Sequence, residues 1–304
     1  MDIKTAVAQK ADEVHRLGLN QTRAAIRAAI AGRDKQCPPL AEVRELTIAG
    51  AVGSLDGRLY RPLHAPEGGP ALVFIHGGGF VIGDLDTNDA FCRRLAAGAK
   101  VTVISANYRL APEAKFPAQL DDALAAIRWV IANAGTLGVR PDGLALCGDS
   151  AGAYLAIAVT AALNAERPGT VGSQILVYPL MHVDDAIWST TVFQDSRIVG
   201  RAAVAYIRSQ LHDGDLNAPS LLDMDMPKAP PTLIVTGGPM DPVRPDAKLY
   251  GQKIAAMGTP LVTREYPLLP HGWANLTHAS SVARKAVTET AELAGAVIRG
   301  EAVA

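Results

Sequence analysis

The stretch with the clearest capacity for chemistry is the pentapeptide 148–152, Gly-Asp-Ser-Ala-Gly, which places a serine between two glycines. The apolar run 144–147 before it is typical of a short buried strand, and the alanine-rich segment 153–163 after it is typical of a buried helix. A sharp turn between strand and helix lifts a serine hydroxyl above the sheet, where it can act as a nucleophile. Ser150 is therefore a candidate nucleophile, and the alternative is a serine that caps an ordinary helix.

A serine nucleophile needs a base and an acid that orients the base, and two late segments offer them. The apolar segment 231–236 leads into a short loop that ends at Asp241, and the segment 261–266 leads into a loop that carries His271. Position in the motif favours Asp241 over Asp246, which is better placed to cap the next helix. Of the seven histidines, only His271 follows this acid on a loop of the required kind, before the last helix.

Three consecutive glycines follow an earlier apolar run, 71–75, in the segment His-Gly-Gly-Gly at 76–79. Glycines let the backbone approach a substrate closely and direct N–H groups at it. We expect the N–H groups of Gly78, Gly79 and Ala151 to form an oxyanion hole, which binds the negatively charged oxygen of the intermediate. The histidine that opens this segment is interpreted as organising the loop rather than carrying protons.

The elements that must position these residues alternate along the chain, which predicts an α/β fold with a mostly parallel central sheet flanked by helices. After an N-terminal helix within 2–33, strands are predicted at 42–48, 57–61, 71–75, 101–105, 144–147, 174–180, 231–236 and 261–266. Helices are predicted at 88–98, 117–133, 153–163, 246–257 and 280–298. About 50 residues separate the strands at 174–180 and 231–236, far more than a crossover needs, and they hold one helix near 201–211. Such an insertion over an active site often acts as a lid.

Composition excludes several classes of protein. The chain has 304 residues, 49% of them hydrophobic, and a net charge of −1, so it can bury a large core and has no electrostatic basis for binding nucleic acid or an anionic membrane. Three cysteines favour a reducing cytoplasm over a disulfide framework. We expect no secretory leader and no membrane span, because neither pattern is present. Spacings typical of metal or nucleotide sites are also missing, so no cofactor is expected.

Taken together, these motifs resemble those of the hormone-sensitive-lipase-like carboxylesterases, the bacterial family IV of the α/β-hydrolase fold, in the subgroup whose nucleophile motif is GDSAG. The resemblance is carried by HGGGF at 76–80, YRLAPE at 108–113, FPA at 116–118, GDSAG at 148–152, Asp241-Pro242 and His271-Gly272. It implies a catalytic triad of Ser150, Asp241 and His271. It also implies a helical cap formed by residues 1–40 and 182–225 over a catalytic domain of residues 41–181 and 226–304.

The chain departs from the family pattern near these motifs. Ala153-Tyr154 replaces the usual Gly-Asn and adds bulk beside the nucleophile, Val243-Arg-Pro245 lacks a usual acidic residue, and Trp273 replaces a phenylalanine. None of these changes removes a member of the triad, so we expect them to affect specificity rather than catalysis. Arg109 and Glu113 are interpreted as a structural ion pair.

The expected function is that of a serine carboxylesterase acting on a small-molecule ester with a short acyl chain. The low aromatic content, 5%, and the lack of a strongly apolar lid favour short chains. Residues expected to form the walls of the substrate pocket are Phe80, Val81, Trp188, Phe193, Tyr206 and Trp273. A homodimer is also expected, paired through the edge strand 261–266, because apolar edge strands tend to be covered.

Two alternative functions stay open at this point. The same triad could cleave a lactone, a carbamate or an activated amide, which a panel of substrates would separate. The fold also serves as a ligand-binding receptor that does not turn over its ligand. The placement of His271 argues against a receptor.

Overall fold

The computed structural model describes residues 18–182, 201–211 and 220–302. Within them, eight strands form one sheet in the order β1-β2-β4-β3-β5-β6-β7-β8. The strands are β1 (Glu42–Ala49), β2 (Ser54–Arg61), β3 (Ala71–Ile75), β4 (Thr102–Ala106), β5 (Leu144–Asp149), β6 (Val171–Val177), β7 (Thr232–Gly237) and β8 (Leu261–Tyr266). The helices are α1 (Leu19–Ile30), α2 (Asp89–Ala99), α3 (Ala118–Ala132), α4 (Ala134–Leu137), α5 (Ala151–Glu166), α6 (Arg201–Leu211), α7 (Arg244–Ala256) and α8 (Ser281–Arg299), with a 3₁₀ helix at Trp273–Leu276.

The sheet is parallel from β4 to β8 and antiparallel where the β1–β2 hairpin joins it. Every residue of β3, β4, β5 and β7 is buried, which is typical of parallel strands covered by helices on both faces. Helix α2 packs against α8, and α3 packs against α5. The predicted α/β fold is confirmed.

Strand register places the chemically important loops side by side. Ile75 at the end of β3 pairs with Gly148 on β5, so the glycine-rich loop begins beside the nucleophile motif. Asp149 pairs with Val177 on β6, and Gly237 on β7 pairs with Tyr266 on β8. Since parallel strands end at the same edge of a sheet, the loops after β3, β5, β7 and β8 meet at one edge.

Several predicted boundaries differ from the structure, and two of the differences have a clear physical cause. The strand predicted at 174–180 is β6, Val171–Val177, because Tyr178 adopts a φ of 36°, which ends the extended conformation. Helix α7 begins at Arg244 rather than Asp246, because Pro245 suits the first turn of a helix, where its missing N–H is not needed.

The predicted ion pair between Arg109 and Glu113 is wrong. The Arg109 side chain bonds the buried carboxylate of Asp122, with Nε 2.7 Å from Oδ2. Glu113 instead pairs with Arg23 of α1, whose Nη1 lies 2.6 Å from Oε1. The same arginine donates to the carbonyl oxygens of Val81 and Ala111, at 2.8 and 2.7 Å, so α1 is bonded to the loops that follow β3 and β4.

Helix α6 lies over the same region. The side chain of Ile207 lies against Gly79, and the N–H of Phe116 donates to the carbonyl oxygen of Leu211 at 3.1 Å. Segments of both predicted cap regions therefore contact the loop that follows β3. The division of the chain into a cap and a catalytic domain stays a prediction. Across the described ranges, no helix has the length and apolar character needed to cross a bilayer.

Candidate active site

Ser150 occupies the sharp turn between β5 and α5. Its backbone has φ 52° and ψ −117°, a conformation that costs free energy in a non-glycine residue and recurs at functional sites. Strand and helix nearly touch here, since a Cβ on Gly152 would lie 2.0 Å from the carbonyl oxygen of Ile75. The Ser150 side chain makes no capping hydrogen bond to α5, so the helix-cap alternative is wrong.

Ser150, His271 and Asp241 lie in hydrogen-bonding contact. His271 Nε2 is 2.9 Å from Ser150 Oγ, and His271 Nδ1 is 2.9 Å from Asp241 Oδ1. Both distances suit a neutral imidazole that accepts from the serine hydroxyl and donates to the carboxylate. His271 and Asp241 are buried, so this line of groups is shielded from bulk water. Three side chains separated by up to 121 residues in the chain thus have the arrangement that a nucleophile, a base and an orienting acid require.

The loop after β7 fixes the carboxylate of Asp241. The N–H of Val243 donates to Oδ1 at 3.1 Å, and the N–H of Gly237 donates to Oδ2 at 3.3 Å. These bonds and the bond from His271 satisfy a carboxylate that is fully removed from solvent, as a buried charge requires. They also set the direction in which Asp241 presents its oxygen to the imidazole.

Asp246 does not cap α7, contrary to the alternative considered for it. Its buried carboxylate accepts the N–H of Met181, in the segment that follows β6, at 3.2 Å. Burial raises the pKa of Asp246 to about 7, and the negative charge of Asp241 acts in the same direction. Asp246 therefore anchors the chain where it leaves β6 and does not contact the imidazole.

The glycine-rich loop turns sharply at Gly78, which has a φ of 112° and whose carbonyl accepts the N–H groups of Val81 and Ile82 at 3.1 and 3.0 Å. Within the described residues, no protein group accepts a hydrogen bond from the N–H of Gly78, Gly79 or Ala151. Unpartnered N–H groups beside a nucleophile are what an oxyanion hole needs. The predicted assignment of these three donors is consistent with this arrangement and stays a prediction.

Gly78→Ala is expected to lower kcat by about 10²–10³, the usual effect of losing one oxyanion-hole donor. The added Cβ would lie 2.1 Å from the carbonyl oxygen of Ile82, at a φ that only glycine adopts readily, so the loop must shift. Steady-state kinetics on a p-nitrophenyl ester measure the effect. Gly135→Ala is the control, because its Cβ would meet nothing within 4 Å, and an equal loss there would contradict the assignment.

His76 is 1% exposed and stacks on Tyr108, with ring centroids 4.3 Å apart. Its Nδ1 lies 2.8 Å from the carbonyl oxygen of Gly77. Burial lowers the pKa of His76, so the ring is neutral at pH 7. This histidine has the contacts of a group that shapes the loop, as interpreted from the sequence.

Phe80 does not line an open pocket. Its ring is fully buried and packs edge-on against Phe116 and Tyr154, at centroid distances of 6.4 and 6.0 Å. The prediction for Phe80 is therefore wrong, because the loop turns its side chain into the core at a φ of 65°. The same cluster absorbs the bulk of Tyr154, one of the departures from the family pattern.

Trp273 is also misassigned as a pocket wall. The 3₁₀ helix turns its ring into the protein, where it is fully buried between Tyr178 and Tyr266 at centroid distances of 5.6 and 5.1 Å. Val81 is 2% exposed, and Tyr206 on α6 is half-buried against the core. Trp188 and Phe193 lie outside the described residues.

Two side chains beside the triad were not found from the sequence. Asp149 accepts hydrogen bonds from the N–H of Gly77 at 2.6 Å and from the hydroxyl of Tyr178 at 3.2 Å. Asp149 stands inside the nucleophile motif, which could have singled it out, whereas no local pattern marks Tyr178. In the three described ranges, no group of three or more His, Cys, Asp or Glu side chains is placed to hold a metal ion.

Residues 72–275 match the model of a family described as the α/β-hydrolase fold. The chain is similar to esterase LipI of Mycobacterium tuberculosis, with 34% identity over 253 residues that cover 77% of this chain and 76% of the relative. Carboxylesterase NlhH of the same organism is 35% identical over 227 residues, covering 72% and 70%. A solved hyperthermophilic esterase from the archaeon Pyrobaculum calidifontis has 30% identity and a TM-score of 0.84, covering 98% of this chain and 97% of its own.

The family predicted from the motifs is confirmed by these likenesses. The matched residues include the glycine-rich loop, Ser150, Asp241 and His271, so the relationship covers the site as well as the sheet. The chain belongs to the α/β-hydrolase fold family, among its hormone-sensitive-lipase-like carboxylesterases.

Proposed function

We propose that this carboxylesterase hydrolyses short-chain acyl esters through a covalent acyl-enzyme on Ser150. The observation that carries the proposal is the continuous hydrogen-bonded line from Ser150 Oγ through His271 to Asp241, with both contacts at 2.9 Å. This line can activate a hydroxyl at neutral pH without a cofactor. Membership of the carboxylesterases supports an ester carbonyl as the target.

The steps follow from this geometry. Ser150 Oγ attacks the ester carbonyl while His271 Nε2 takes its proton, and the ionised Asp241 stabilises the imidazolium that forms. The N–H groups of Gly78, Gly79 and Ala151 hold the negatively charged oxygen of the tetrahedral intermediate. When the intermediate collapses, His271 gives the proton to the leaving alcohol. Water then attacks the acyl-enzyme by the same route and releases the acid and free Ser150.

A panel of p-nitrophenyl esters with acyl chains of two to sixteen carbons tests this proposal. We expect kcat/KM to be highest at about two to six carbons and at least about tenfold lower at twelve, because the low aromatic content of the chain, 5%, leaves few large apolar side chains to bind a long acyl chain. A preference for the longest chains would overturn the short-chain assignment. No turnover of any ester by folded protein would overturn hydrolysis itself, and lactones, carbamates and activated amides in the same panel separate the related reactions.

A homodimer paired through β8 is a second part of the proposal. Strand β8 is at the edge of the sheet, and most of its side chains are only half-buried, which supports a partner on that edge. Light scattering at micromolar concentration is expected to give twice the chain mass for the wild type and the chain mass for Val262→Lys. A wild-type mass of one chain would contradict the dimer.

A cytoplasmic location is also part of the proposal. All three cysteines, Cys37, Cys92 and Cys147, lie in described residues and are free, which supports a reducing compartment. Esterase activity is expected in the cytosolic fraction of disrupted cells, and activity confined to the culture medium would contradict this location.

A further inference from the structure

The carboxylate of Asp149 is buried and takes no part in the catalytic steps described above. Asp149 is 4% exposed and ends β5 immediately before the nucleophile. Its Oδ1 accepts the N–H of Gly77 at 2.6 Å, and its Oδ2 accepts the hydroxyl of Tyr178 at 3.2 Å. Both oxygens are thus bonded to loops that reach the site from other strands.

The contact with Gly77 fixes the base of the glycine-rich loop. A Cβ at Gly77 would lie 2.5 Å from the Asp149 carbonyl oxygen and 2.7 Å from Oδ2, so the two backbones approach as closely as a glycine allows. Gly77 directly precedes Gly78 and Gly79. Holding its N–H therefore sets where the next two N–H groups point.

The contact with Tyr178 connects Asp149 to the imidazole ring of His271. The buried Tyr178 ring tilts against the His271 ring, with centroids 4.7 Å apart, and packs edge-on against Trp273. Its hydroxyl is bonded to Asp149, which holds the ring on this face of His271. Asp149 is thus bonded both to the loop that carries the oxyanion donors and to the tyrosine that packs against His271.

We propose that Asp149, in its ionised form, and Tyr178 are positioning residues that hold the oxyanion loop and the His271 ring in one hydrogen-bonded frame. The proposal rests on the esterase function proposed above. An ionised carboxylate accepts stronger hydrogen bonds than a neutral acid, so the frame loosens when Asp149 gains a proton.

The surroundings of Asp149 place this change within a measurable pH range. Burial raises the pKa of Asp149 to about 6, against the opposing effects of the Gly77 N–H, the nearby His271 and the Tyr178 hydroxyl. The other titratable groups that face it are Cys92, Tyr108 and Cys147, and burial raises the pKa of each, so they stay neutral. Asp149 is therefore ionised above about pH 6 and neutral below it.

Asp149→Asn and Tyr178→Phe test the frame through the pH dependence of kcat/KM, measured by pH-stat on a short-chain ester between pH 5 and 9. Asn keeps an acceptor for Gly77 but cannot ionise, so we expect kcat at pH 8 to fall about tenfold or more with KM within about twofold. In the wild type the acid limb of log kcat/KM should exceed a slope of one near pH 6, where Asp149 gains its proton, and in Asp149→Asn it should keep a slope of one throughout. Tyr178→Phe should move the upper part of that limb to higher pH, because the carboxylate loses a bond that favours its ionised form.

Two controls separate this role from stability and from the proposed function. Asp122→Asn removes the charge of an equally buried aspartate that pairs with Arg109 away from the loop, so it should lower the Tm without changing the slope. If Ser150→Ala retains activity, the proposed function fails. If Ser150→Ala is inactive while Asp149→Asn keeps the wild-type kcat and the wild-type acid limb, the positioning role is overturned. Should Asp149→Asn fail to fold, a wild-type profile for Tyr178→Phe overturns it.

Discussion

Ser150→Ala is expected to lower kcat for ester hydrolysis by about 10⁶, the largest effect of any single substitution in this chain. The change removes the hydroxyl oxygen that lies 2.9 Å from His271 Nε2 and leaves the backbone of the oxyanion loop in place. A residual rate above that of water should survive, since oxyanion donors and substrate binding still act. Steady-state kinetics on a p-nitrophenyl ester, corrected for spontaneous hydrolysis, measure it.

Ser280→Ala is the matched control for this variant. Ser280 is the N-cap of α8, and its hydroxyl accepts the N–H of Ala283 at 3.1 Å, whereas the Ser150 side chain caps nothing. We expect Ser280→Ala to cost about 1 kcal/mol of unfolding free energy and to leave kcat unchanged. Ser150→Ala should show the reverse pattern, with its Tm kept. A Ser150→Ala protein with a lowered Tm and the wild-type kcat would indicate that Ser150 has a structural role instead.

Asp241→Asn is expected to lower kcat by about 10⁴, the second largest effect. The Asp241 carboxylate accepts from His271 Nδ1 at 2.9 Å, which leaves Nε2 free to take the serine proton. An amide at this position can donate to Nδ1 and so favours the wrong tautomer of the imidazole. The backbone bonds from Gly237 and Val243 keep the loop in place, so the Tm should change little.

Asp246→Asn is the matched control, since it removes a second buried carboxylate close to Asp241. Asp246 bonds the backbone of Met181 rather than the imidazole, so we expect kcat to stay within about tenfold of the wild type. The reverse order, with Asp246→Asn the more damaging change, would transfer the role of orienting acid to Asp246.

The sheet and the meeting of Ser150, Asp241 and His271 at its edge could be predicted from the sequence because both depend on short local patterns. A continuous apolar run such as Ala71–Ile75 predicts a buried strand, and the order of motifs after successive strands predicts which loops meet at one edge. Strand limits were less accurate where one residue leaves the extended conformation. Tyr178 does so at the end of β6, and no neighbouring residue in the sequence signals its positive φ.

The sequence did not predict which side chains pair when they are distant in the chain but close in the fold. Arg109 has acidic neighbours at both Glu113 and Asp122, and only the fold brings Arg23 from 90 residues away to take Glu113. The burial of Phe80 and Trp273 has the same origin, because an aromatic side chain beside an active site can face the substrate or the core. The contact of Asp149 with Gly77 depends on the register between β3 and β5, which local patterns do not specify.

Covalent labelling by an organophosphate ester, such as diethyl p-nitrophenyl phosphate, tests most directly whether Ser150 is the nucleophile, with the labelled residue mapped by peptide mass spectrometry. We expect one p-nitrophenol released per chain, loss of esterase activity in step with labelling, and a diethylphosphoryl group on Ser150 alone. The Ser150→Ala protein should stay unlabelled while keeping its Tm. Complete inactivation with the phosphoryl group on another residue, or equal labelling of Ser150→Ala, would contradict the assignment of Ser150 as the nucleophile.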